Sequence, residues 1–429
     1  MELDERPPSS TIPVAAAATP GGRLVANALY RTVSDLASKL ALAVLYIVMA
    51  RKLGTGGFGV FSFAFSLAVL VTTLANFGED KVLVRAIVRD PRALGRTFAD
   101  TVALQAAIGL GALALTEAFL PLTGVAEKTR LVVALLGLAI VLDVLTSTHL
   151  AIFQARERMA LIPAVIVPQR LAVAVAGTYA LYRGVGVVGV AGIYLAGSLL
   201  ALPLAIALLR REVARPPFRI SLRRWPPLLV AALPIGVASA FATILFRIDL
   251  VMLRAYRSAD VVGAYAGAYR LFEMTLFLSA GVGASALPAF ARMKADQLPE
   301  LRGLLRKTLL LVLVPSVPLA ILAAALPAQL LHLAYGGGYG SAADALRLLA
   351  PAIVLYPLSF MCGYLLVAQG HVRALVTVYG VVAAENVAAN MVLIPWLSLR
   401  GAALGTSISE LLAAAGLGLA VRAKLREQR

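Results

Sequence analysis

Stretches of roughly 20 or more apolar residues recur along almost the whole of this chain, each long enough to cross about 30 Å of hydrocarbon as a helix. The spacing predicts about twelve such helices, with spans near 23–52, 56–77, 97–120, 130–153, 160–182, 186–209, 228–253, 261–290, 303–331, 341–368, 372–395 and 399–421. Composition agrees. Apolar residues make up 60% of the 429, charged residues 14%, and the mean hydropathy is +0.88, more apolar surface than one soluble core could hide. The expected fold class is therefore an all-α integral membrane protein.

The formal net charge of +17 suggests nucleic acid until the cations are mapped onto the spans. Alternate connections hold 25 of the 39 Lys and Arg, including Lys81 to Arg96, Arg210 to Arg224 and Arg292 to Lys307, against 9 in the intervening loops. That is the positive-inside bias, and it predicts a multi-pass protein of the cytoplasmic membrane with both termini cytoplasmic. No aromatic-interleaved basic patch remains, so no nucleic-acid partner is expected. Met1 to Gly22 carries Glu2, Asp4 and Glu5 and lacks a basic start, so 1–22 reads as a disordered cytoplasmic tail and not as a cleaved signal.

The chain also repeats itself. A shift of 204 lays Gly59-x-Phe61-x-x-x-Phe65-x-Leu67 on Gly263-x-Tyr265-x-x-x-Tyr269-x-Leu271; Gln154 and Arg158 fall on Gln369 and Arg373 at 215, and Gly189-x-Ala191 falls on Gly401-x-Ala403 at 212. An even number of spans per half makes the repeats parallel, an arrangement known from transporters. The expected division is a six-helix bundle over 23–215 and a second over 216–429, parted in the arginine-rich connection with Pro216-Pro217 and Pro226-Pro227.

Eleven charges fall inside the predicted spans, where charge is costly and marks function by default. Arg31, Asp35 and Lys39 stand four apart on one helix face. Asp143, Arg170, Arg270, Glu273, Glu385 and Glu410 lie near mid-membrane, which predicts one shared cavity. Arg270 and Glu273, three apart, are expected to pair, whereas Arg247 and Asp249 point to nearly opposite sides, with Arg247 near enough to the boundary to snorkel. Asn386 and Asn390 share a face and could hold an ion or join helices. With all eleven ionised, the first half is about +1 and the second about −2. We expect an anionic substrate group at the first half, with Arg31, Asp35, Lys39, Asp143, Arg170, Arg270 and Glu273 lining the site. Asp249, Glu385, Asn386, Asn390 and Glu410 become candidates for coupling to H+ or Na+, since a buried unpaired carboxylate can titrate near neutrality. The alternative is that all eleven make structural interhelical pairs.

Other motifs carry no chemistry. Gly54-x-Gly56-x-x-Gly59 matches a dinucleotide fingerprint but follows a membrane-length helix instead of a strand. Gly336 to Gly340 reads as a flexible loop. His149, His332 and His371 show no ligand spacing, and the single Cys362 permits neither a disulfide nor a cysteine metal site, so no metal, no cofactor and no catalytic residue is expected.

Ala50-Arg51-x-Leu53-Gly54 with Gly59, then Arg247-x-Asp249-x-x-x-Leu253 leading to Val262-Gly263-x-Tyr265, are joined later by Tyr335-Gly336 to Tyr339 with Leu346, and by Asn390-x-x-Leu393-Ile394-Pro395 before Gly401-Ala402-Ala403. In that order and spacing the chain resembles the Wzx-type polysaccharide flippases of the multidrug/oligosaccharidyl-lipid/polysaccharide (MOP) exporter superfamily, over nearly its whole length after residue 22. The resemblance implies two MATE-like six-helix bundles rocking about a central cavity. It implies flipping of a polyprenyl-diphosphate-linked oligosaccharide between leaflets, with no bond made or broken, for polysaccharide biosynthesis or export. Arg31, Lys39, Arg170 and Arg270 would then meet the diphosphate, membrane lipids would surround the tail, and other polysaccharide-assembly membrane proteins would be partners. A multidrug exporter of the same superfamily would share the fold and prefer a negative cavity. A lipid II flippase usually carries two further spans. A membrane glycan polymerase or acyltransferase tends to carry a long outer loop or a catalytic His/Asp motif, and neither is present.

Overall fold

The computed structural model describes residues 20–427 except 91–93, 213–219 and 294–296, with side chains from Ser38 onward apart from those stretches and positions 212, 278, 284 and 427. The expected boundary at 215 and most of the expected tail lie outside these residues. Among the described residues every regular element is helical. In order they are α1 (Pro20–Thr73), α2 (Glu79–Arg89), α3 (Leu94–Phe119), α4 (Glu127–Ala155), α5 (Leu161–Tyr182), α6 (Val187–Glu212), α7 (Trp225–Tyr256), α8 (Ala259–Arg292), α9 (Leu298–Ala325), α10 (Pro327–Tyr335), α11 (Ala343–Ala368), α12 (Val372–Leu397) and α13 (Leu399–Glu427).

Eleven described segments are long and apolar enough to cross a membrane, all but α2 and α10. The first of them crosses twice. Gly54 adopts φ 65° and ψ −174°, a backbone that favours glycine, and breaks α1 into arms 20–53 and 55–73. In a straight helix Tyr46 and Phe61 would stand about 22 Å apart along the axis, yet their rings are 6.1 Å apart, so the arms fold back on each other. Among the described residues twelve crossings result, as the apolar runs predict, and they place the beginning of α1 and the end of α13 at one end of the molecule. The Gly54-x-Gly56-x-x-Gly59 motif of this multi-pass integral membrane protein is thus a helical reversal, preceded among the described residues by helix and not by a strand.

In the first half α1 packs on α4 and α5, α4 on α6, and α3 on α4; in the second, α11 packs on α8, α9 and α13, and α12 on α13 and α7. The halves meet through α1 against α7 and α8. A Cβ built on Gly59 would lie 1.8 Å from the Ala259 carbonyl oxygen, and one on Gly263 would lie 1.8 Å from that of Thr55. Both partners are 204 apart, as are the two glycines, so the sequence repeat appears here as a reciprocal pseudo-twofold contact. Bare backbone lets the two helices touch, and any side chain would part them.

This contact pins the halves at the end away from the termini, hereafter the far end. Thr55 Oγ1 donates to Asp260 Oδ1 at 2.8 Å, and Arg51 donates through Nε and Nη2 to the carbonyls of Ala334 and Leu333 at 2.8 and 2.6 Å, closing the C-terminus of α10. The Gly336–Gly340 segment differs from the loop expected of it. Residues 337–342 form a 3-10 turn in which Tyr339 is buried, its hydroxyl donating to Ala50 O at 3.3 Å, because the tyrosine ring needs an apolar berth and finds it between the halves. Near the termini the halves touch differently: Gly78 packs on Ile235 and Gly236 on Phe77, so the first turns of α7 lean on the first half through α2.

Candidate functional site

Charge inside the bundle is grouped on three helix sets. The first lies at the seam. On α8, Arg270 and Glu273 are one turn apart, and Nη1 of Arg270 donates to Glu273 Oε2 at 2.5 Å, the pairing expected from their spacing. Arg247 on α7 brings its Nη1 within 2.9 Å of the other oxygen, Oε1, so two guanidiniums share one carboxylate. Aromatic faces from the first half complete the group: the Arg270 guanidinium lies 4.3 Å from the Tyr46 ring and 5.9 Å from Phe65, and that of Arg247 lies 5.8 Å from Phe65. Nη2 of Arg270 is buried with no hydrogen-bond partner among the described residues.

The second group belongs to the first half alone. Asp143 on α4 accepts from Arg170 Nη2 at 3.0 Å, from Gln169 Nε2 at 2.7 Å and from Ser198 Oγ at 2.7 Å, drawing α5 and α6 together. Arg170 also donates to the Tyr194 hydroxyl, and the Tyr194 ring stands 6.0 Å from Phe65. Phe65 therefore connects Arg170 to the seam arginines. Asp143, Arg170, Arg247 and Glu273 keep side-chain exposures of 17, 21, 17 and 14%, so open space reaches all four despite their depth.

The third group lies within the second half. Glu410 on α13 accepts from Ser359 Oγ at 3.3 Å and borders a cavity of about 140 Å3 lined by Phe246, Tyr356, Tyr379, Asn386 and Ser409. Ser409 donates to Glu385 Oε2 at 2.8 Å and accepts from Asn386, whose Oδ1 accepts from Asn390 at 3.1 Å. Asn390 Oδ1 is buried without a partner among the described residues. Nearby, Asp249 accepts from the Tyr265 hydroxyl, which lies 3.3 Å from Thr406. Among the described residues no cation pairs with Glu385, Glu410 or Asp249.

Residues 24–294, well over half the chain, match the family of polysaccharide biosynthesis proteins. The chain belongs to that family. Residues 234–392 of the chain also match the MatE family. Among solved structures it is similar to the lipid II flippase MurJ in an inward closed conformation, at TM-score 0.75 and 13% identity over 92% of this chain and 87% of that one. An inward-facing multidrug resistance MATE family transporter of the MOP superfamily gives 0.64 and 16%, over 92% and 95%. A MOP superfamily transporter from Pyrococcus furiosus, described by the reverse polarity of its binding pocket, gives 0.60 and 15%, over 96% and 97%. At these identities the likeness establishes a shared fold, that of the MOP superfamily. No curated protein matches the chain.

Within this family member, Asp143 and Arg170 join the seam through Phe65, whereas Glu410 lines a space in the second half and Glu385 is tied to that lining through Ser409. Asp143 pairs with Arg170, and at the seam Arg247 and Arg270 share Glu273. Arg247, near enough to the boundary to snorkel, is held at the seam by Glu273. Lys39 is exposed, its Nζ 4.6 Å over the Phe277 ring on α8. Arg31 and Asp35 lie where side chains are outside the described residues. Tyr194, Ser198, Gln169, Ser359 and Ser409 were not singled out, since hydroxyls and amides in apolar runs are common and only a partner across helices gives them meaning.

Glu79 was also not read as a site residue. It opens α2, outside the spans, and is fully buried with neither carboxylate oxygen in a well-aligned hydrogen bond among the described residues. Burial raises its pKa above the ordinary carboxyl value, against the lowering effect of nearby backbone amides.

Proposed function

We propose that the protein is a flippase that carries a polyprenyl-diphosphate-linked oligosaccharide from the cytoplasmic to the outer leaflet by alternating access, with both termini cytoplasmic. The observation that carries this reading is the seam: Arg247 and Arg270 share one Glu273, and Arg270 keeps an unused donor. A net positive group in a low-dielectric layer attracts an anion strongly, and the planar guanidinium fork suits phosphate oxygens. Lys39 and, through Phe65, Arg170 extend the cationic surface. Asp143, Glu273 and Gln169 supply acceptors and donors for sugar hydroxyls. The polyprenol stays in the bilayer while the halves hinge. Closure at the far end through Gly59 and Gly263 gives access from the terminal end, and release of that contact gives access from the other.

Asp249, Glu385, Asn386, Asn390 and Glu410 are proposed as the coupling group. Their partners are hydroxyls and amides, and such a set can take up H+ or Na+ and release it when α7, α12 and α13 shift. A second reading, a cation-coupled multidrug exporter, is favoured by one observation: the Glu410 cavity has the acidic, aromatic lining that a cationic drug prefers. Reconstitution separates the readings. Fluorescent polyprenyl-diphosphate oligosaccharide in proteoliposomes should exchange leaflets faster than in empty vesicles, and Arg270→Gln should remove the acceleration. Absence of acceleration under every ion gradient, with uptake of a cationic dye instead, would replace the first reading by the second.

A further inference from the structure

Two apolar grooves of nearly equal size, about 450 and 460 Å3, lie on the two halves. One runs between the 55–73 arm of α1, α3 and α7, walled by Phe63, Leu67, Leu115 and Phe119. The other runs between α8, α9, α10 and α11, walled by Leu271, Leu319, Ala323 and Leu333. Leu67, Leu115 and Phe119 fall on Leu271, Leu319 and Ala323 at the same shift of 204 that lays Gly59 on Gly263. The grooves are therefore repeat mates, preserved as a pair although their side chains differ.

Each groove meets an arginine from the opposite half, at nearly matching places: Arg254 of α7 lines the first, and Arg51 of α1 bonds to the wall of the second. Their states differ. Arg51 spends Nε and Nη2 on the carbonyls of Ala334 and Leu333. Arg254 donates from Nη1 to Arg257 O at a long 3.3 Å, its Nε is buried with no partner, and among the described residues no carboxylate pairs with it. An uncompensated guanidinium beside apolar walls calls for an anion that carries its own apolar chain. The groove is open for one, since Leu115 is 74% and Phe119 62% exposed.

We infer that the first groove binds an anionic phospholipid of the surrounding bilayer, with an acyl chain along Phe63, Leu67, Leu115 and Phe119 and the phosphate on Arg254. The walls come from both halves, α1 and α3 on one side and α7 on the other, so the bound lipid clasps the seam and favours the arrangement closed at the far end. This site is separate from the seam arginines and does not depend on what they carry.

The test is native mass spectrometry of the full chain released from nanodiscs containing equal phosphatidylglycerol and phosphatidylcholine. Wild type should retain phosphatidylglycerol about tenfold over phosphatidylcholine; Arg254→Gln should bring the ratio near one, Arg254→Lys should restore most of it, and Arg347→Gln, altering an exposed far-end cation, should leave it unchanged. Thr116→Trp, which fills the groove without touching the charge, should displace both lipids. Equal retention by wild type, an Arg254→Gln protein with the wild-type ratio, or a second copy of the chain at this face in place of lipid would overturn the proposal.

Discussion

Arg170 in the first half and Glu385 in the second stand at matching places, 215 apart, and so do Ser198 and Glu410, 212 apart, yet their surroundings are opposite. The first-half group is closed on itself: Asp143 accepts from Arg170, Gln169 and Ser198 and spends its charge on α5 and α6. The second-half group keeps its carboxylates on hydroxyl partners and borders an open cavity. One scaffold position thus serves as a structural tie in one half and as an available acid in the other. Under the proposed function, substrate charge would meet the seam and ion exchange would fall to the second half.

The largest expected effect breaks the seam itself. Glu273→Gln leaves two guanidiniums without their carboxylate, which should cost about 3–5 kcal/mol and lower the unfolding temperature sharply, whereas replacing all three of Arg247, Arg270 and Glu273 by Met should recover most of the loss. A Glu273→Gln protein that melts like the parent would show that the triad does not hold α7 to α8. Next comes the pin: Gly59→Leu places side-chain atoms where the Ala259 carbonyl lies, so spin labels at Leu53 and Ser258 should move apart and transport should fall more than tenfold. Unchanged label distances would mean that the far end does not close through this contact.

The second-half group is then compared with the seam. Glu410→Gln should abolish the dependence of transport on an ion gradient while leaving substrate binding within about twofold, and Arg270→Gln should do the reverse. Identical phenotypes would dissolve the division of labour. The smallest effect concerns Glu79. Its raised pKa means that the folded state favours the protonated carboxyl, so its stability is complete below the unfolded carboxyl's range and declines as pH rises through the folded value. Glu79→Gln should remove that decline, raising the unfolding temperature relative to wild type near pH 8 and giving no gain near pH 4, each value being about what model carboxyl behaviour sets.

The number of crossings was legible because an apolar run of membrane length has one use, and the Gly59/Gly263 repeat was legible because only glycine permits two backbones to touch. The short helices were less so. In α2 the buried Leu83 and Ile87 are four apart with Arg85 and Arg89 turned elsewhere, a pattern readable in principle but masked by the charge of its loop. Arg270 with Glu273 could be paired because both are on one helix. Arg247 with Glu273, or Asp143 with Ser198, could not, because spacing along a chain carries no information on which helix faces which.

Leaflet exchange of fluorescent polyprenyl-diphosphate oligosaccharide, measured in proteoliposomes for wild type, Arg270→Gln and Arg247→Gln, addresses the seam most directly. Wild type should exceed empty vesicles at least tenfold, and each folded variant should lose most of that excess while retaining the wild-type response to ion gradients in what activity remains. Exchange that persists undiminished in both variants would contradict the assignment of the diphosphate to the seam arginines.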